Sequence, residues 1–139
     1  MSELEDVYTE VITEHSRCQE NKHPLACATC CRKGHNPSCG DEITLELKVE
    51  DGIVQDAAFT GAGCAISQAS TDIMIDLMRG KTVEEARNLT DKFMAMLKRE
   101  VTDEEELEEA IALKNIANMP ARVKCAVLAW RTLKEALEE

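Results

Sequence analysis

Three cysteines of this 139-residue chain stand where a thiolate would be favoured or where a carboxylate is at hand. In Cys39-Gly40-Asp41, extended backbone would point the thiol and the carboxylate to one side, because residues two apart share a face. Gly40 between them lets the chain bend or another group approach. Cys64 follows Gly61-Ala-Gly63, where a strand is predicted to give way to a helix, and oriented N–H groups at a helix start favour a thiolate. Cys125 ends Met119-Pro-Ala-Arg-Val-Lys-Cys125, in the first turns of a predicted helix, with the cations Arg122 and Lys124 close by in sequence. Three thiolates and one carboxylate suit a four-coordinate Zn²⁺, or can hold the irons of a small iron–sulfur cluster. Spacing alone leaves the convergence open. No C-x-x-C links the three, and a single helical Cys is often just a small buried hydrophobe.

A second group is denser. Cys27-Ala-Thr-Cys30-Cys31 has C-x-x-C spacing, with Cys18, His15, His23 and His35 near it in sequence. Three uses stay open for Cys18, Cys27, Cys30 and Cys31: a metal site of their own, a flexible thiol-rich loop without a fixed ligand, or redox and sulfur-shuttling chemistry. The histidines read as surface residues rather than catalytic bases.

Charge narrows the partners. Acidic residues number 27 against 16 basic ones, for a net charge of −11, so nucleic acid and anionic membrane are disfavoured as partners. The start MSELEDVYTEVITEH lacks the basic and apolar regions of a secretory signal, and no apolar run reaches membrane-spanning length; the expectation is a cytoplasmic protein with reduced thiols.

The elements that must position these residues form one domain, 1–139. Val7, Val11 and Ile12 predict an amphipathic helix over Glu3 to Arg17. From Cys18 to Ser38 apolar periodicity vanishes, and Pro24, Gly34 and Pro37 punctuate a Cys-rich loop, 18–38, whose mobility is expected and whose end could add a short strand. Ile43, Leu45, Leu47 and Val49 alternate with polar neighbours, predicting a strand over Asp41 to Glu50. Asp51-Gly52 turns it into a partner strand from Ile53 to Thr60. Everything after Gly63 reads as helix, with capping boxes at Thr82/Glu85 and Thr102/Glu105, an acidic first turn Asp103-Glu-Glu-Glu106, and a last helix from Pro120. Asp103 to Glu109 reads as a solvated face. Met74, Met78, Met94 and Met96 read as core fillers in a chain with 3% aromatics. The fold expected is α+β: a small antiparallel sheet of two or three strands with several helices packed on one face.

Three blocks carry a resemblance. Asn36-Pro-Ser-Cys-Gly-Asp-Glu-Ile43, Gly61-Ala-Gly-Cys-Ala-Ile-Ser-Gln-Ala-Ser70 and Met119-Pro-Ala-Arg-Val-Lys-Cys-Ala-Val-Leu-Ala-Trp130 resemble, in order, the signature blocks of the SufU/IscU family of iron–sulfur cluster assembly scaffolds and sulfur acceptors. The resemblance covers about residues 36 to 137. It implies that Cys39, Asp41, Cys64 and Cys125 are the metal ligands and Cys39 the persulfide acceptor, with Gly40, Arg122 and Lys124 in support. It implies a cysteine desulfurase as sulfur donor and a downstream carrier or apo-protein as recipient. The cargo would be a [2Fe–2S] cluster or iron. The alternative is a zinc-dependent sulfurtransferase, with Zn²⁺ in the same site; the rival of another class is a structural zinc-binding interaction module. Whether the chain is an enzyme stays open: it reads as a scaffold or relay. The long Cys64–Cys125 connection and Lys124, where housekeeping IscU proteins have His, resemble the SufU branch. Met-Pro-Ala-Arg-Val-Lys stands where IscU proteins carry the Leu-Pro-Pro-Val-Lys motif for an Hsp70-type chaperone, so that partner is not carried over.

Overall fold

A computed structural model describes residues 3–37, 40–100 and 105–138, with side chains of the first helix from Glu10 onward. Helix α1 (Glu3–Arg17) is followed by strands β1 (Cys30–Asn36), β2 (Asp41–Glu50) and β3 (Ile53–Ala62). Helices α2 (Ala65–Met78) and α3 (Val83–Leu97) come next, then a 3₁₀ segment (Glu105–Asn118) and helix α4 (Pro120–Leu137). The strands form one antiparallel sheet in the order β1-β2-β3, as the α+β reading required.

The alternation along β2 sets the architecture. Ile43, Leu45 and Leu47 are buried together with Asp41, while Glu42 and Glu50 are exposed. Asp51 and Gly52 both have positive φ, 55° and 73°, the geometry of a tight hairpin whose twist matches that of the strands. Above the buried face lie α2 and α4, which touch each other and together touch all three strands.

One sequence expectation is settled and one needs correction. The end of the stretch 18–38, where a short third strand was left open, is β1. Its inward positions are Cys30, Arg32, Gly34 and Asn36, residue types with no apolar signature, so the period of two was invisible to hydropathy. Gly34 has a steric reason: a Cβ there would lie 2.1 Å from Thr132 Oγ1 and 3.2 Å from Leu128 Cδ1. Any side chain there would force Thr132 of α4 out of its place against β1.

The correction concerns residues 105–118, expected as an α-helix. They wind as 3₁₀, broken at Glu108 (φ 51°, ψ −123°). Leu107, Ala110, Ala112, Leu113 and Ile116 are buried; past the break, Ala110, Leu113 and Ile116 recur at three, the spacing that stacks side chains on one face of a 3₁₀ turn. The capping residue proposed for this segment, Thr102, and the acid Asp103 lie outside the described residues. The other box is present as read: Thr82 and Glu85 exchange side-chain and backbone hydrogen bonds at the start of α3.

Helix α1 is held by a polar network. His15 Nδ1 lies 2.5 Å from Asp72 Oδ2, and its Nε2 meets Glu109. The Asn21 amide donates to Asp72 and Asp76, both at 2.9 Å, and Arg79 reaches Asn21, Asp56 and Asp76. Burial disfavours the His15 cation, but hydrogen bonds to Asp72 and Glu109, and the charges of both, outweigh it and raise its pKa. A raised folded-state pKa gives stabilisation that is complete below the unfolded value of about 6.5 and lost as pH rises through the folded one. Stability should therefore fall on going from about pH 6 toward alkaline pH, and His15→Gln should flatten that slope in urea titrations at several pH values. An unchanged slope would show that His15 does not couple α1 to the protonation state.

Candidate metal centre

The structure brings three of the four proposed ligands together. One donor atom each from Asp41, Cys64 and Cys125 lies within 4.8 Å of the others. They come from three elements: Asp41 opens β2, Cys64 caps α2, and Cys125 sits in the second turn of α4. Cys39 lies outside the described residues. The parity argument for Cys39 and Asp41 fails in one respect, since Gly40 has φ 69° and the extended chain begins only at Asp41.

Each of the three side chains is placed by local chemistry. Asp41 is fully buried, and a carboxylate taken from water needs partners. Its Oδ1 accepts the Cys64 backbone N–H at 2.8 Å, and its Oδ2 accepts from Asn36 Nδ2 at 3.4 Å. The approach is close enough that a Cβ on Gly63 would stand 2.6 Å from Asp41 Oδ1. That glycine lets the start of α2 close over the carboxylate. Cys64 is the N-cap of α2, and its Sγ accepts from Ser67 N at 3.5 Å, as a Ser or Asp cap would. Cys125 is fully buried and accepts from the same Asn36 amide at 3.7 Å.

Asn36 was missed as a site residue. Its amide ties Asp41 to Cys125 and so locks the end of β1 to β2 and α4. The signal available was position: a residue that ends one strand and pairs in register with Asp41. Ser67 was missed as well. It is 1% exposed, and its hydroxyl has no hydrogen-bond partner among the described residues.

The donor set fits a metal. Two sulfurs and a carboxylate oxygen, drawn together at a partly buried point, are ligands Zn²⁺ takes tetrahedrally, with one position left for a fourth. The same sulfurs could hold the irons of a cluster. Arg122 and Lys124 are exposed on the first turns of α4.

The other thiols are dispersed in orientation. Cys30 Sγ donates to Ala136 O of α4 at 3.5 Å, whereas Cys31, next on the strand, is exposed and faces the other way. Cys27 is exposed with φ 62°. The Cys18 thiol has a backbone hydrogen bond at Glu20 that favours its thiolate, but burial and the charges of Asp72, Glu20 and Asp76 prevail and raise its pKa. His23 is exposed, and His35 lies on the outward face of β1 opposite Glu42. A further grouping, His15 with Asp72 and Asp76, is the network that holds α1, and its members are partnered by Asn21, Arg79 and Glu109. Met74, Met78 and Met96 are buried in the core, as expected of fillers.

Comparison with known proteins agrees with this geometry. Residues 7–139 match the family described as NifU-like N terminal domain. The chain is 47% identical over 133 residues to the iron–sulfur cluster assembly scaffold protein IscU of Thermotoga maritima, covering 96% of this chain and 94% of that one. It is 36% identical over 135 residues to the zinc-dependent sulfurtransferase SufU of Bacillus subtilis, covering 96% and 91%. Among solved structures, a putative iron–sulfur cluster assembly scaffold protein for the SUF system from Fervidobacterium islandicum superposes with a TM-score of 0.91 at 38% identity, covering 95% of this chain and 97% of that one. A nitrogen-fixing NifU-like protein (N-terminal) from Brucella abortus gives 0.86 at 26% identity, covering 99% and 96%. With Asp41, Cys64 and Cys125 folded onto one point, and with matches of this extent, the chain belongs to the NifU N-terminal-domain family, alongside the IscU and SufU proteins.

Proposed function

We propose that this protein accepts persulfide sulfur from a cysteine desulfurase and supports assembly of a [2Fe–2S] cluster on Cys39, Asp41, Cys64 and Cys125. The observation that carries the reading is the meeting of Asp41, Cys64 and Cys125 donors within 4.8 Å from segments far apart in sequence. A fold that needed only small core residues would not bury a carboxylate between two thiols.

The sulfur step is a thiol–disulfide exchange. The Cys39 thiolate attacks the outer sulfur of the desulfurase's persulfide. A new S–S bond forms as the old one breaks, the outer sulfur carries its proton across, and the desulfurase cysteine leaves as thiolate. No electrons are gained or lost overall. Bound at this site, Zn²⁺ would keep the thiols deprotonated at neutral pH. Asp41 is the harder and more exchangeable ligand, which favours release of a finished cluster to a downstream carrier or apo-protein. Asn36 and the Cys64 N–H hold that carboxylate in place throughout.

A second reading, zinc-bound sulfur relay without a cluster, is favoured by two observations. Lys124 precedes Cys125, and α3 with the 3₁₀ segment fills a long connection between Cys64 and Cys125, both features resembling the SufU branch. The structural zinc module predicts inert thiols instead.

Replacing Cys39 by Ser tests the proposal. Persulfide loading of this chain and stimulation of desulfurase turnover should both fall to background, while the fold is retained. Undiminished loading would move the acceptor role to another cysteine.

A further inference from the structure

The geometry points to Ser67 as a positioning residue of the metal centre, its hydroxyl donating a second hydrogen bond to the Cys64 thiolate once the site is loaded. This rests on the metal-binding reading above and adds to it a means by which the thiolates are made unequal.

Five buried hydroxyl residues are described: Ser67, Ser70, Thr71, Thr90 and Thr132. Four have an acceptor. Thr71, Thr90 and Thr132 donate back to the carbonyl four residues earlier, those of Ser67, Ala86 and Leu128, each at 2.8 Å. Ser70 donates to Ala126 O at 2.5 Å. Ser67 alone among these five has no partner among the described residues. Its carbonyl four residues back belongs to Gly63, ahead of the N-cap, so the helical acceptor used by the three threonines is not offered to it.

An orphaned buried hydroxyl is costly and calls for an explanation. Its surroundings supply one. Ser67 Oγ lies 3.2 Å from the position a Gly63 Cβ would take, and Asp41 Oδ1 lies 2.6 Å from that same position. The hydroxyl therefore shares the space of the ligand cluster. Ser67 also already serves Cys64, donating its backbone N–H to Sγ at 3.5 Å. A neutral thiol is a weak acceptor, whereas a metal-held thiolate is a strong one. Rotation about the Ser67 Cα–Cβ bond then brings the O–H onto the sulfur that the N–H already holds.

The chemical consequence is selective. Two donors on Cys64 Sγ withdraw electron density from it, making it a weaker nucleophile and a less covalent ligand. Sulfur-directed hydrogen bonds tune metal–thiolate sites in this manner. Cys64 is thereby kept as the anchoring thiolate, and exchange with an incoming persulfide is left to a ligand without that clamp.

Cobalt substitution reads this directly. The full-length protein is loaded with Co²⁺ and its sulfur-to-cobalt charge-transfer band recorded for wild type, Ser67→Ala and Ser67→Thr. Loss of the O–H should move the band to longer wavelength in Ser67→Ala, and Ser67→Thr should restore the wild-type position. A crystal structure of the zinc-loaded wild type should show Ser67 Oγ within hydrogen-bond distance of Cys64 Sγ, which keeps the test decisive should Ser67→Ala fail to fold. An unmoved band in folded, cobalt-loaded Ser67→Ala, or a hydroxyl directed to another acceptor in the crystal, overturns the inference and leaves the metal site standing. Absence of any thiolate-to-cobalt band in the wild type would instead overturn the metal reading itself.

Discussion

Replacing Cys125 by Ser is expected to weaken metal binding by roughly 100-fold or more. Zinc held by four protein ligands contributes about 10–16 kcal/mol, so one ligand's share is on the order of 3 kcal/mol, and 1.4 kcal/mol is about a factor of ten. The cost should fall near the upper end here. Cys125 is fully buried, so no exchange of side chains from the surface can supply a substitute. The serine oxygen would also remain protonated where the thiol ionises. Competition with a chelator of known affinity measures the effect, and circular dichroism checks that the fold survives. A loss of only a few-fold would mean that Cys125 is a core thiol and not a ligand.

The largest effect on stability is expected from Trp130→Ala, about 3–5 kcal/mol. Trp130 is fully buried and stacks on Phe93 with ring centroids 3.9 Å apart and planes within 7°, joining α4 to α3. Its Nε1 donates to Ser70 Oγ of α2 at 2.9 Å, so one side chain ties three helices around the site. Domains of this size are commonly stable by about 5–15 kcal/mol, and the variant would lose a large fraction of that. Urea unfolding followed by far-UV circular dichroism gives the number without relying on the deleted fluorophore. A change below about 1 kcal/mol would contradict the role assigned to this residue.

How much of this was legible beforehand depended on where function and hydropathy coincide. The hairpin at Asp51-Gly52 and the capping box at Thr82/Glu85 were readable because single residues at fixed offsets impose them. The strand β2 was readable because its apolar period is two. Strand β1 could only be left open, since its inward side presents Cys30, Arg32, Gly34 and Asn36, which carry no apolar alternation. The 3₁₀ segment was misread for a different reason: its α-helix was inferred from Thr102, Glu105 and the acidic first turn, a start signal that says nothing of how the following residues wind. Of the site, the ligand types and the special places of Cys64 and Asp41 could be argued from the chain alone. That Asp41, Cys64 and Cys125 converge could not, because that depends on how β1, β2, α2 and α4 pack. Asn36 and Ser67 stayed hidden because an amide at a strand end and a serine in a helix start are common, and only their contacts distinguish them.

X-ray absorption spectroscopy on the zinc-loaded protein probes the centre most directly. Coordination by three sulfurs and one oxygen is the expected result, with the oxygen lost in Asp41→Ala. Four sulfurs, or one sulfur at most, would contradict it, placing the ion among Cys18, Cys27, Cys30 and Cys31 or away from the thiols altogether.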